Sequence, residues 1–458
     1  MKKPLTKLIT STYGIGDLTV TIMNNTANLL FVFCLTNIMY FSNEKVLFIS
    51  GVSSTIVAVS AFLTGIIISG TPAMKWGRHR SFLLIFAPIS AIGFIFEFTR
   101  VGTNEDIAAV IIIVAYVLGR MAKGLVYNAH ASLLNVISSN DSERALLAGH
   151  RATATSFAGI IYSYTSTPLA ALLAVYVGLK AGYTLMAVVI TLVYVLSMWY
   201  TVWITKGYEG SEAEADGKPK EEKASIKVML LCLVKNKSLM ALVFADLTRF
   251  VSNLTLAGSA AYFFTYVAQN FALMTQYVLW GGILQTIGSF TSGQLSKKFS
   301  SKVMATFGEI MLSVSIIFIR VFGFNTAIAF VFLMIFRFFH GFSYSMFFAL
   351  YADCVVYGQW KTGVSVPGFT NSLSSMAAQV GTMIKAWLLP IILIAVGFDA
   401  SIPAAEATME LKVGVLTMFA LIPGCIRLSG GLALLFFYKL TRKELDICTN
   451  EIAAREAL

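Results

Sequence analysis

Charge is what this sequence has least of. Only 12% of its 458 residues are Asp, Glu, Lys or Arg, about half the roughly 25% of an ordinary soluble protein. By contrast 57% are hydrophobic, and the mean hydropathy is +0.76. A globular enzyme of that composition would leave far too much apolar surface for water to solvate. Cysteine is scarce as well: the 5 residues (Cys34, Cys232, Cys354, Cys425, Cys448) are odd in number and scattered, which excludes a secreted disulfide scaffold. The 4 histidines (His79, His130, His150, His340) are too dispersed for a metal cluster, so neither a metal nor another cofactor is expected. No HExxH, no P-loop and no workable Ser/His/Asp spacing appears, and an enzyme is not expected. What remains is a polytopic, all-α membrane protein.

A hydrocarbon core of about 30 Å takes roughly 20 apolar residues of helix. Runs of that kind predict twelve transmembrane helices near 17–40, 46–70, 81–100, 106–133, 153–175, 181–205, 238–265, 273–295, 303–322, 325–349, 371–397 and 412–438. The first run is too long for the core of a cleavable signal peptide, and no small-residue cleavage site follows it. If the N-terminus is cytoplasmic, the opposite side holds only Lys45, Arg100, Lys180 and Lys412, while the other loops and tails hold the remaining loop cations. The positive-inside rule therefore places both termini in the cytoplasm of a multi-pass protein of the cell membrane. The net charge of +11 encodes topology in the lipid bilayer, and no nucleic-acid partner is expected.

A polar, charge-mixed stretch at 206–237 divides the chain into an N-terminal half, 1–205, and a C-terminal half, 238–458. Its composition predicts a cytoplasmic linker rather than a folded domain. The halves echo one another. Arg120, Gly124, Tyr127 and Leu133 on the fourth helix are matched at one constant spacing by Arg337, Gly341, Tyr344 and Leu350 on the tenth. Basic loops follow the second and eighth helices alike. Two pseudo-symmetric six-helix halves describe the major facilitator fold, in which substrate binds near the midplane between halves. A channel is disfavoured because no filter-like segment appears.

Several segments resemble the glycoside–pentoside–hexuronide:cation symporter family. They are Tyr13-Gly14-Ile15-Gly16-Asp17, Trp76-Gly77-Arg78-His79-Arg80, the four–five loop residues Glu143, Arg144, Leu147 and Arg151, and above all Tyr351 through Gly363. Asn371 to Gly381 and Phe419 to Pro423 continue the likeness over essentially the whole chain. The resemblance implies a sugar transporter driven by a co-transported cation. Departures from the family pattern carry information too. The second helix reads Val57-Ala58-Val59-Ser60-Ala61-Phe62-Leu63-Thr64-Gly65, with none of the carboxylates of sodium-coupled members. Gln379 stands where the family has Lys, Asn128 replaces a sugar-contacting Asp, and Thr21 lies near the place of another. Without those acids a sodium site has only neutral oxygens to offset dehydration, so a proton is favoured over Na⁺ as the coupled cation.

Ionisable residues inside spans are functional candidates because each costs at least about 2.5–3.5 kcal/mol at a helix centre. Glu97, Arg320, Asp353, Lys385 and Arg427 are expected near helix ends, reaching to the headgroups, and Glu309 near the start of the ninth helix is expected to do the same or to pair locally. On the four helices that line the cavity of the resembling architecture, polar residues recur with helical spacing. The stripes are Thr21, Asn24 and Asn28; Arg120, Lys123 and Tyr127; Asp246, Arg249 and Asn253; and Arg337, His340 and Tyr344. Packing hydrogen bonds between membrane helices are the plainer explanation of any one stripe; four favour a substrate site, to which the family likeness adds Asn128 and Gln379. Asp17, Arg151, Asp246, His340 and Asp353 are the coupling and gating candidates. Four cations (Arg120, Lys123, Arg249, Arg337) face one carboxylate, Asp246, across these stripes. Such a surplus points to an anionic substrate, a hexuronide or sulfonated sugar, gripped by bidentate arginine contacts. A neutral glycoside, a lysolipid, or a non-transporting sensor built on the same fold are the competing readings.

Overall fold

The computed structural model describes residues 5–70, 74–138, 141–209, 236–296, 298–363 and 367–456. Among them there are helices and turns but no strand. In chain order they are α1 (Lys7–Thr12), α2 (Ile15–Phe33), α3 (Asn43–Gly70), α4 (Arg78–Glu97), α5 (Glu105–Ile137), α6 (Asp141–Thr165), α7 (Thr167–Val177) and α8 (Leu179–Ile204). Then come α9 (Lys237–Tyr262), α10 (Ala272–Leu295), α11 (Ser301–Phe322), α12 (Thr326–Thr362), α13 (Pro367–Ala395), α14 (Met409–Leu416), α15 (Ile422–Phe437) and α16 (Arg442–Glu456). Ten helical stretches of the described residues are long and apolar enough to cross a membrane. The helices α3 and α10, with 28 and 24 residues, also exceed a core of about 30 Å at roughly 1.5 Å rise per residue. Counting α1–α2, α6–α7 and α14–α15 as one crossing each, twelve crossings result.

Within lipid a helix cannot leave its first N–H groups to water, and side chains close several of these ends. Asn104, Asn236, Asn325 and Thr408 accept from backbone N–H groups at the starts of α5, α9, α12 and α14. Two boundaries differ from expectation. The four–five segment expected as a loop is helical from Asp141, because Glu143 to Ala152 is rich in Ala and Leu, both strong helix formers. The tenth crossing runs on to Thr362, carrying the Tyr351–Thr362 segment as helix until Gly363 caps it at φ 75°.

The chain divides into two compact units, 1–219 with 393–403 and 220–392 with 404–458. The linker expected at 206–237 lies outside the described residues from 210 to 235. In the first unit α5 packs on α3 and α4, and α8 packs on α2 and α4. In the second α12 packs on α10 and α11, and α15 packs on α9 and α11. One pattern is thus used twice. The backbone repeats it in finer detail: α2 and α9 each end in a π turn, at Cys34–Ile38 and Phe263–Val267. Each turn is followed by a left-handed non-glycine residue, Tyr40 (φ 56°) or Gln269 (φ 50°). The spacing that relates these turns also relates Asp17 to Asp246 and Asn24 to Asn253. Close helix approach needs glycine at two crossings. Gly93 and Gly119 bring α4 and α5 together, and a Cβ at Gly341 would overlap the Gln285 carbonyl of α10.

Candidate functional site

In the first unit the stripe residues of α2 and α5 meet. The Lys123 ammonium donates to Asn24 Oδ1. Thr21 spends its hydroxyl on its own helix, donating to the Asp17 carbonyl at 2.7 Å. Asn28 and Asn128 are half-buried and Tyr127 is exposed. Arg120 is not free: its Nε and Nη2 donate to Glu97 of α4 at 2.9 and 2.8 Å, with the guanidinium 4.8 Å from the Tyr116 ring centre. The expectation that Glu97 reaches to the headgroups is therefore corrected. It is 1% exposed, because a carboxylate in a low-dielectric interior is held best by a bidentate guanidinium.

One helical turn below the stripe, Asp17 accepts from Arg151 Nε and Nη2, both at 2.7 Å. His130 places Nδ1 3.6 Å from the same carboxylate. Its ring stacks on Tyr13 at 4.6 Å, and the Tyr13 hydroxyl donates to the His130 carbonyl at 2.7 Å. Asp17 and His130 are both buried, and His130 Nε2 has no hydrogen-bond partner.

In the second unit Asp246 is wholly buried. Arg249 Nε and Nη2 donate to its Oδ1 at 2.8 and 2.5 Å, and the Tyr351 hydroxyl donates to Oδ2 at 2.9 Å. The Arg249 guanidinium also lies 4.5, 4.9 and 4.6 Å from the rings of Phe250, Tyr344 and Phe347, so its charge is largely used within the protein. Arg427 and Glu309 likewise do not reach outward. Arg427 is 0% exposed and donates to Glu309 at 2.7 and 2.9 Å, and Ser343 donates to the same carboxylate at 2.5 Å. For Arg427 this corrects the expected headgroup placement, for the same dielectric reason, and for Glu309 it is the pairing expected as the alternative.

Arg337 differs from these. Its Nη1 donates to Gln285 at 3.3 Å and its guanidinium sits 4.9 Å from the Tyr277 ring centre. No carboxylate among the described residues pairs with it, and its Nε is buried without a partner. One turn on, His340 is buried between Phe336 and Tyr344, with Nδ1 also unpartnered. Asn253 and Asp353 are half-buried, and Gln379 is exposed on α13. The structure thus gathers Asn24 with Lys123, Asp17 with Arg151, Asp246 with Arg249 and Tyr344, and Arg337 with His340. Sequence reading missed Tyr13, Glu97, His130, Gln285 and Tyr351 as partners. The available signals were that Glu97 and His130 are ionisable residues on predicted spans and that Tyr13 and Tyr351 stand in the family-like segments.

Comparison with known proteins places the chain among sugar transporters of one family. A protein of Salmonella typhimurium provisionally named as a sulfoquinovose importer is 24% identical over 411 residues, 88% of this chain and 84% of that one. The isoprimeverose transporter of Lactiplantibacillus pentosus is 23% identical over 387 residues, 82% of this chain and 78% of its own. A solved bacterial homologue of the human lysosomal transporter Spinster, inward-facing and occupied, shares the fold with a TM-score of 0.67 at 12% identity, covering 98% of each chain. The family model described as MFS/sugar transport protein matches residues 12–442, and the chain belongs to that family of multi-pass membrane transporters.

Proposed function

We propose that this protein moves an anionic sugar, a hexuronide or a sulfonated sugar, across the cell membrane by alternating access, coupled to a proton rather than to Na⁺, with both termini in the cytoplasm. The observation that carries the anionic reading is Arg337, a cation on a predicted cavity stripe with no carboxylate partner among the described residues and an unpartnered, buried Nε. An uncompensated charge in such a place is costly, and a bound carboxylate or sulfonate offsets that cost through the two-pronged fork of the guanidinium. In the first unit Lys123, whose ammonium donates to Asn24 Oδ1, is the substrate-contact candidate. Asn24, Tyr127 and Asn128 in the first unit, and Asn253 and Tyr344 in the second, are the further substrate-contact candidates. The likeness to a relative named for a sulfonated sugar supports the same reading. The proton is favoured because the second helix offers no carboxylate between Val57 and Gly65.

A neutral glycoside is the second reading. It draws on the Arg120–Glu97 pair, which removes one cation from the surplus, and on the relative named for isoprimeverose. Uptake into proteoliposomes of a labelled methyl glucuronide, a sulfonated sugar, the matching neutral methyl glucoside and a lysolipid separates these readings. The anionic reading expects the first two to be carried in preference; preference for the neutral sugar or the lysolipid contradicts it.

A further inference from the structure

His130 is the one side chain of the Asp17 cluster that no sequence pattern singled out, and its surroundings are unusual for a packing residue. It is 1% exposed, yet Nε2 has no partner, while Nδ1 faces the Asp17 carboxylate at 3.6 Å. Gly16 leaves the space beside it open, since a Cβ there would come within 3.1 Å of Nε2. The charged groups that act on the imidazole are Asp17 from α2 and Arg151 from α6, and the Tyr13 ring, from the joint of α1 and α2, stacks on it. From α8 the nearest neighbour at Gly16 is Met198, which brings no charge.

Charge balance restricts what this cluster can do. With Arg151 clamped on Asp17 and His130 neutral, the group of three carries no net charge. A proton added to His130 in that state leaves one uncompensated positive charge in a buried site, which is strongly disfavoured. If Arg151 leaves Asp17 without a proton arriving, an uncompensated carboxylate remains, which is equally disfavoured. As Arg151 leaves, a proton on the Asp17 carboxylate or on His130 keeps the site neutral, and the imidazole is the more basic of the two. Arg151 is the member able to move: its side chain is 17% exposed, against 5% for Asp17 and 2% for His130.

We infer that Asp17, His130 and Arg151 form a charge-exchange switch in which Arg151 leaves Asp17 when substrate binds and His130 takes up the transported proton in its place. The inference rests on the anionic, proton-coupled reading above. In balance, one proton from water binds the imidazole and pairs with Asp17 as Arg151 departs, and the charge of the substrate anion offsets the cation so added. Release of substrate returns Arg151 to Asp17 and expels the proton. No bond other than that to the proton is made or broken. One proton therefore moves with each monoanion, and the loaded and empty forms carry the same charge. Asp246 and His340, the coupling candidates of the second unit, suit this role less. Arg249 and Tyr351 both occupy Asp246, and a proton on His340 would join the guanidiniums of Arg249, Arg337 and Arg427 in one region.

The test uses the full-length chain in proteoliposomes with labelled methyl glucuronide as probe. In a 1:1 symport a pH gradient of about one unit sustains roughly a tenfold concentration ratio. Wild type is expected to reach such a ratio, to move one proton per glucuronide, and to be insensitive to an imposed membrane potential. His130→Gln is expected to lose the gradient-driven ratio and to exchange more slowly at equal pH, since Arg151 then leaves an unpaired carboxylate behind it. Asp17→Asn should uncouple in the same way. A His130→Gln protein that still accumulates the probe like wild type overturns the switch. So does a wild type that carries net charge with each glucuronide, a measurement that decides the matter even if the variants fail to fold. Wild-type uptake indifferent to the pH gradient would instead refute the proton-coupled reading itself, whereas gradient-driven uptake in both wild type and His130→Gln refutes the switch alone.

Discussion

Arg120 and Arg337 occupy equivalent places in the two repeats, yet only Arg120 is neutralised, by two hydrogen bonds from its fork to Glu97. Arg337 has Gln285 and the Tyr277 ring instead. One repeat thus keeps its charge within the protein, and the other holds it in reserve. This asymmetry assigns the two arginines different tasks.

The first task is stability. Breaking a buried ion pair by removing one partner costs about 3–5 kcal/mol, because the other charge is left unpaired. Arg120→Leu and Glu97→Leu are each expected to lower the unfolding temperature of the purified transporter sharply. The double variant should recover most of the loss, since two apolar side chains need no partner there. Single variants as stable as wild type would show that Arg120 is not bound to Glu97.

Helix approach gives a second prediction. At Gly341 a Cβ would meet the Gln285 carbonyl of α10, whereas at Gly282 nothing lies within 4 Å. Gly341→Val is expected to cost about 1–3 kcal/mol by forcing α10 and α12 apart. Gly282→Ala should be neutral or slightly stabilising by helix propensity. Equal melting curves for both variants would contradict this packing.

The fold was legible in the sequence because hydrophobic run length is a local signal, and Arg120 to Leu133 repeating as Arg337 to Leu350 exposed the duplication. The candidate site was legible only in part. Helical spacing put Arg120, Lys123 and Tyr127 on one face, but spacing along one helix says nothing of what a neighbouring helix presents. Glu97 and Arg427 were therefore misplaced at the headgroups, although both are buried in ion pairs. The same limit hid His130, whose meaning comes from Asp17 and Tyr13, distant in sequence. The π turns at Cys34–Ile38 and Phe263–Val267 share almost no residues and had no sequence signal.

A third prediction concerns the driving ion. With no acid from Val57 to Gly65, external Na⁺ or Li⁺ at fixed pH is expected to leave glucuronide uptake unchanged. A steep, saturable rise of uptake with Na⁺ would overturn it.

The C-terminal helix supplies a fourth. Trp360 of α12 donates to Glu451 of α16 at 2.7 Å, and Cys448 on α16 is buried. Burial pushes the Cys448 thiol above its ordinary range. A raised thiol holds less thiolate at pH 7–8, so maleimide labelling of Cys448 should be slow and should accelerate as pH rises. Trp360→Ala should speed labelling at constant pH by loosening α16, as read by site-resolved mass spectrometry. Fast labelling in the wild type would mean that α16 is not docked.

The central claim is that Arg337 receives the anionic group of the substrate, and one pair of affinities tests it most directly. Binding of methyl glucuronide and of the matching methyl glucoside is measured in wild type and in Arg337→Gln. Loss of a hydrogen bond to a charged group is expected to weaken the glucuronide by about 1.5–3 kcal/mol, with Arg337→Lys recovering only part of it and the neutral glucoside hardly changed. A wild type that prefers the glucoside, or an Arg337→Gln variant that weakens both ligands equally, would contradict the account.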